Sequence, residues 1–214
     1  MNQLWILIYD NTPNNIIPQN VVIKYNDITY HPTVSTHDSL SNRKNLALTT
    51  LFKDDYYLFP LFYEYYKKQG VEHFYMYYNG ILTDDIKSVF QYKDVTLIEW
   101  NFRYWNGKQY KWIHHAQLGQ MSHAIYKYGK TNYNYMIFND LDEYLYIPKI
   151  KIIDFIKENK EIDVFGFCNI WSNTPVNRIH DTFPNKIITD THKIEYGKRS
   201  KNIYKLDSIT PLDI

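Results

Sequence analysis

The residues best suited to chemistry in this chain are Asp140 and Asp142, which flank one apolar residue in the string Asn139-Asp140-Leu141-Asp142-Glu143. If the backbone stays extended past Phe138, side chains two positions apart project to one face, and both carboxylates come within reach of a single cation. Hard divalent ions such as Mn²⁺ or Mg²⁺ take carboxylate and phosphate oxygens, and Mg²⁺ is usually held by one or two carboxylates plus substrate phosphates. The pair therefore suits a metal-bound diphosphate, with Leu141 turned back into the core. A ligand-free acidic turn is the plain alternative, because Asp-x-Asp is a short pattern; its place straight after the apolar run 135–138 favours the metal. No Ser or Cys nucleophile motif, P-loop, Rossmann fingerprint or zinc pattern accompanies it. His114 and His115 are adjacent and do not share a helix face, so they make a poor metal pair.

These acidic residues need a frame, and hydrophobic periodicity supplies one. Residues 46–52 read as a buried strand, 56–68 carry apolar residues at helical spacing and stop at Gly70, and 73–78 form a second strand ending at Asn79-Gly80. A second helix over 84–90 and a third strand over 95–100 follow. After a loop rich in Asn, Arg and Trp, residues 114–128 read as a helix closing near Gly129 and 135–138 as a fourth strand. Residues 144–148 resume a strand-like run that ends at Pro148, and 164–171 is another. Short β-type runs at 5–9, 21–25 and 28–30, separated by Asn- and Pro-bearing turns, make residues 1–45 an N-terminal β extension and linker ahead of a main domain over 46–214.

Strands alternating with helices predict an α/β fold: a Rossmann-like, mostly parallel sheet with helices on both faces. In such sheets ligands bind in the crevice beyond the carboxyl ends of the strands. Three polar clusters fall there, namely Lys53-Asp54-Asp55, Tyr78-Asn79-Gly80 and the acidic segment 139–143.

Composition narrows the function classes. The 214 residues carry 24 Lys+Arg against 23 Asp+Glu, a net charge of +1, so no one-sided field gathers nucleic acid. Cys168 is the one cysteine and cannot make an intrachain disulfide, and the apolar stretch at residues 4–8 is far too short to cross a bilayer. A soluble globular chain, compatible with the cytoplasm, is expected. Aromatic residues make up 18%, with 22 Tyr; abundant Asn, Ile and Lys beside them point to AT-rich codons rather than to a binding surface for most of these rings.

The string 133–145, Tyr-Asn-Tyr-Met-Ile-Phe-Asn-Asp-Leu-Asp-Glu-Tyr-Leu, resembles the D-x-D-E segment of GT-A glycosyltransferases, most of all glycosyltransferase family 92. Lys53-Asp54-Asp55 followed by a helix and Gly70-Val71-Glu72-His73-Phe74 resembles that family's opening, residues 117–124 its helix before the acidic motif, and Lys201-Asn202-Ile203 its basic C-terminal segment. Asp54-Asp55 stands for the usual Asn-Glu, Tyr78 where Asp is common, and Ala124 where Cys is frequent. The family also carries a His soon after its last segment; the sequence reaches Ile214 without it, so the domain reads as cut short there.

The resemblance implies a GT-A fold and transfer of a sugar from a nucleotide diphosphate donor, expected to be a UDP-sugar, to a glycan or glycoprotein hydroxyl. Asp140 and Asp142 would hold Mn²⁺ or Mg²⁺, and Lys53, Asp55, Tyr78, Asp140 and Lys201 would meet the nucleotide. For Lys53 and Asp55 the alternative is an ordinary helix start, and for Lys201, with Lys198 and Arg199 beside it, a solvated basic loop. Arg103, Trp105, Gln117 and Trp171 are candidates for the sugar side, with Tyr77 and Tyr78 as further stacking surfaces. An inverting transferase also needs a carboxylate to take the acceptor proton, for which Asp181 is chosen over Asp163 and Asp190. Two other classes stay open: a metal-dependent phosphodiesterase or nucleotidyltransferase sharing the acidic pair, and a sugar- or nucleotide-binding module that keeps the fold without turnover.

Overall fold

The computed structural model describes residues 22–25, 27–31, 42–104, 115–172, 191–194 and 200–210, with 25, 115, 170–172 and 191–194 as backbone. β1 (Ile23–Tyr25) and β2 (Ile28–Tyr30) form an antiparallel hairpin, a two-stranded sheet of its own. The main sheet starts with β3 (Lys44–Phe52), whose Leu46, Ala47 and Leu48 are all fully buried. Burial of successive residues means that both faces are covered, as expected of a central parallel strand.

β3 runs parallel to β4 (His73–Tyr78) on one side and to β6 (Tyr133–Phe138) on the other, and β5 (Val95–Glu99) runs parallel to β4. β7 (Val164–Cys168) leads through β8 (Ile170–Ser172) and its antiparallel partner β9 (Thr191–Ile194) to β10 (Ser200–Lys205). β10 inserts antiparallel between β6 and β7, giving six strands in the order β5-β4-β3-β6-β10-β7. The expected α/β fold, mostly parallel with helices on both faces, is what the chain adopts.

Period-2 alternation divides the core between those faces. Leu46, Leu48, Phe74, Met76 and Ile137 pack against α1 (Phe59–Lys68), α2 (Asp84–Val89) and α5 (Ile152–Glu158). Ala47, Tyr75, Tyr77 and Met136 face the helical run of α3 (His115–His123) and a wider π-type segment (Ala124–Gly129), which the single turn α4 (Lys130–Asn132) follows. α1 ends where expected, with Gly70 at φ 98°, a left-handed conformation that suits glycine just past a helix.

Two sequence expectations need correction. Residues 144–148 form no strand. The Tyr65 hydroxyl donates to Leu145 O at 2.7 Å, and Leu145 N donates to the Tyr66 hydroxyl at 2.9 Å, so side chains of α1 satisfy backbone groups that a neighbouring strand would otherwise serve. Residues 200–205 are a strand rather than a solvated loop, and Ile203 within it is fully buried. The proposed strand at 5–9 lies outside the described residues.

Candidate active site

From β3 the chain steps outward to β4 and β5, then returns to lay β6 on the other side of β3. The gap between the carboxyl ends of β3 and β6 is therefore a topological switch point, where a crevice opens in sheets of this kind. A cavity of about 490 Å³ lies there, lined by Lys53 and Asp55 after β3, Asn79 after β4, Asp140 and Asp142 after β6, and by Tyr104 and Gln117. The three polar clusters separated in sequence meet in this one place. A second cavity of about 300 Å³ shares Leu51, Gln117 and Asp140 with the first and extends along Thr49, Gln120 and Asn202.

The acidic segment does not stay extended. Glu143 N donates to Asp140 O at 3.1 Å, closing a turn over residues 140–143. Asp140 and Asp142 still line the same cavity, and Leu141 is buried as expected, at 3% exposure. What shapes the turn is Tyr66 of α1, which is wholly buried. Its hydroxyl accepts from Asn139 Nδ2 at 2.7 Å and from Leu145 N, and donates to Glu143 O at 3.1 Å. Asn139 Nδ2 also donates to Glu143 O at 2.5 Å, so one phenol and one amide brace the loop from beneath.

Lys201, early in β10, brings a cation to this turn. Its ammonium pairs with Asp140 and lies 3.0 Å from Glu143 Oε2, with 18% of the side chain exposed. Burial alone would lower its pKa; Asp140 and Glu143 outweigh that and hold it above the ordinary lysine value. Loss of water raises the pKa of Glu143, which Lys201 opposes and Asp140 reinforces. Asp142 keeps an exposed face, yet partial desolvation, with repulsion from Asp140 and Asp55, raises its pKa as well. The crevice thus holds more carboxylate than cation.

The opening cluster is shaped by its backbone. Asp54 adopts φ 61°, a left-handed conformation that Asp and Asn tolerate better than most residues, so Asp54 serves where the family has Asn. Asp55 precedes the 3₁₀ turn Tyr56–Leu58 but makes no side-chain capping bond; it lines the cavity instead. A helix start therefore accounts for its place in the chain and not for its carboxylate.

Other sequence candidates fall elsewhere. Tyr78 is 8% exposed and packs on Phe52 with ring centroids 5.5 Å apart, lining neither cavity. Tyr77 is fully buried, its hydroxyl 2.8 Å from His123 Nδ1, so neither ring offers a stacking face. Arg103 is exposed and lines neither cavity. Asp163 accepts from Ser208 Oγ at 2.6 Å beside Lys205, at the far end of β10 from Lys201, which removes it as a base for this crevice. Trp105, His114, Asp181, Asp190, Lys198 and Arg199 lie outside the described residues, as does the side chain of Trp171.

Sequence reasoning placed Asn79 and Glu143 in the strand-end clusters without giving them a role, and missed Tyr104. Asn79 Nδ2 donates to Trp100 O at 2.9 Å and to Phe102 O at 2.8 Å, steering the chain after β5 toward the crevice. Tyr104 follows on that path and donates to Gln117 Oε1 at 3.4 Å. Position after a strand was the available signal for Asn79; for Tyr104 there was none beyond its neighbours.

No curated protein matches this chain significantly. A solved structure, the WbbM bifunctional glycosyltransferase in its apo form, aligns over 83% of this chain and 35% of its own at 10% identity. At a TM-score of 0.39 that likeness carries no argument. The chain thus spans about a third of that protein's length. The family comparison is of another order, because it runs through the opening cluster, the acidic turn and β10 together: over residues 46–213 the sequence matches the model of glycosyltransferase family 92, and the chain belongs to that family.

Proposed function

We propose that this glycosyltransferase moves a sugar from a nucleotide diphosphate donor, a UDP-sugar, to a hydroxyl of a glycan or protein-linked glycan, with a divalent cation at Asp140 and Asp142. The observation that carries the reading is the convergence of Lys53, Asp55, Asn79, Asp140 and Asp142 on one cavity at the switch point of the sheet. The residues suit the cation by their chemistry: hard carboxylate oxygens, of which Asp140 already holds one positive charge, the Lys201 ammonium. When bound, Mn²⁺ or Mg²⁺ supplies charge neutralisation to the departing diphosphate.

The remaining roles belong to the chain. Lys53 and Asp55, which line the cavity beyond β3, would meet the base and ribose. Lys201 gives the phosphate oxygens a charge-assisted donor. The second cavity, with its uncharged Thr49, Gln120 and Asn202, suits sugar hydroxyls; Thr50 Oγ1 and Asn139 Oδ1, buried among its lining residues, have no hydrogen-bond partner among the described residues. Asp181 remains our candidate for taking the acceptor proton.

Isothermal titration of UDP in the presence of Mn²⁺ tests the proposal. Wild-type protein is expected to bind and Asp142→Ala to bind at least about tenfold more weakly, a loss of roughly 1.4 kcal/mol. Equal binding by the variant would remove the metal from this site, and a donor panel with Mn²⁺ identifies the sugar.

A further inference from the structure

The residue that occupies the acidic turn is part of the protein. Lys201 enters from β10, a strand paired on both edges: Asn202 with Phe138 on one side, Lys201 itself with Phe167 on the other. Its Cα is therefore fixed by ladder hydrogen bonds, while the long aliphatic stem lets the ammonium move. That ammonium has two partners within ion-pair distance, Asp140 and Glu143, and 29% of the Glu143 side chain is exposed. Asp142, which lines the same cavity, forms no ion pair among the described residues with this lysine.

We infer that Lys201 is a built-in occupant of the cation position at Asp140, so that a divalent metal must displace it to bind. The metal part of this rests on the reading given under Proposed function; the Lys201–Asp140 pair does not. Two cations cannot share one carboxylate without repulsion that a partly desolvated site screens poorly. When metal takes Asp140, the ammonium keeps Glu143 and turns toward the cavity, where a diphosphate offers it oxygens in exchange. Metal and diphosphate then favour each other, since each relieves the disturbance the other creates, and this coupling is reciprocal. The device offsets part of the charge of the half-buried carboxylates Asp140 and Glu143 without ligand and makes metal binding by the empty protein weak.

The test is Mn²⁺ alone, titrated into wild-type protein, Lys201→Met and Lys201→Arg, with free ion followed by electron spin resonance. Lys201→Met, which keeps the stem and removes the charge, is expected to bind Mn²⁺ about tenfold more tightly or better, and Lys201→Arg no more tightly than wild type. Adding UDP is expected to tighten Mn²⁺ binding in wild type by a larger factor than in Lys201→Met. Circular dichroism and the unfolding midpoint establish that each variant is folded; if Lys201→Met is not, Lys201→Gln takes its place. The inference is overturned if the neutral variant binds Mn²⁺ no more tightly than wild type, or if no form binds it at millimolar concentration. Failure of the donor panel beside tighter Mn²⁺ binding by Lys201→Met would remove the transferase reading and leave the competition standing.

Discussion

Tyr66 shows how much of the acidic turn depends on a side chain buried beneath it. Its hydroxyl joins Asn139, Glu143 and Leu145 around the acidic turn, in a pocket without exposure. Tyr66→Phe leaves the ring in place, removes the partner of Leu145 N and leaves Asn139 Nδ2 and Glu143 O only each other, a loss expected at about 1–3 kcal/mol by urea unfolding. Binding of UDP with Mn²⁺ should weaken as well, because the turn that aims Asp140 and Asp142 is loosened; unchanged binding would show that the turn holds itself. His123 makes a second residue-scale prediction. Burial, with Lys127 adding to it, pushes its pKa down to about 4 from 6.5. Between those values the unfolded chain takes up a proton that the folded chain refuses, so stability is lost as pH falls from 6.5 toward 4. Chemical unfolding at pH 7 and pH 5 should show that decline, and His123→Gln should flatten it.

At the scale of elements, the join between α1 and β4 is constrained twice over. Gly70 has φ 98°, and a Cβ built there would run into the Ile153 side chain of α5. Gly70→Ala therefore meets a forbidden backbone and a filled space together, with an expected loss of about 2 kcal/mol or more in the urea midpoint. A loss under about 0.5 kcal/mol would mean that α5 moves freely away from α1. The elements differ in how far their own residues announce them. Residues 46–52 and 73–78 are apolar runs bounded by polar clusters, and α1 is periodic up to its glycine, so local pattern was enough. α5 was overlooked although Ile152 and Ile156 show helical spacing, because a strand-like run before it drew the reading. β10 is polar in sequence, Ser-Lys-Asn-Ile-Tyr-Lys; only its two neighbours make it a strand, through hydrogen bonds that no local pattern encodes.

At the scale of the whole molecule, many of the described aromatic rings belong to the core, while Tyr30, Tyr57, Tyr92 and Tyr146 stay exposed. Tyr66 and Tyr77 stand among the largest fully buried side chains, and Tyr65, Tyr66 and Tyr144 pack in one group between α1 and the acidic turn. Burial raises the pKa of Tyr65 to about 12, and of Tyr66, Tyr77 and Tyr144 higher than the usual tyrosine value. The folded state holds these protons where the unfolded chain releases them, so stability present below the ordinary value of 10.0 is lost as pH rises above it. Ultraviolet titration should show buried tyrosines ionising together with unfolding, and smooth ionisation of a folded protein would contradict this. The order of elements from β3 to β6, the strand-end position of the three polar clusters and the closeness of Asp140 to Asp142 were determined by the sequence alone, because periodicity and spacing are local properties of a chain. Which clusters meet, that the acidic segment turns rather than extends, that Tyr78 is core while Tyr104 lines the cavity, and that Lys201 reaches Asp140 across 61 positions were decided by tertiary structure. Those contacts arise only when strands distant in sequence become neighbours and close packing forces each side chain to one face or the other.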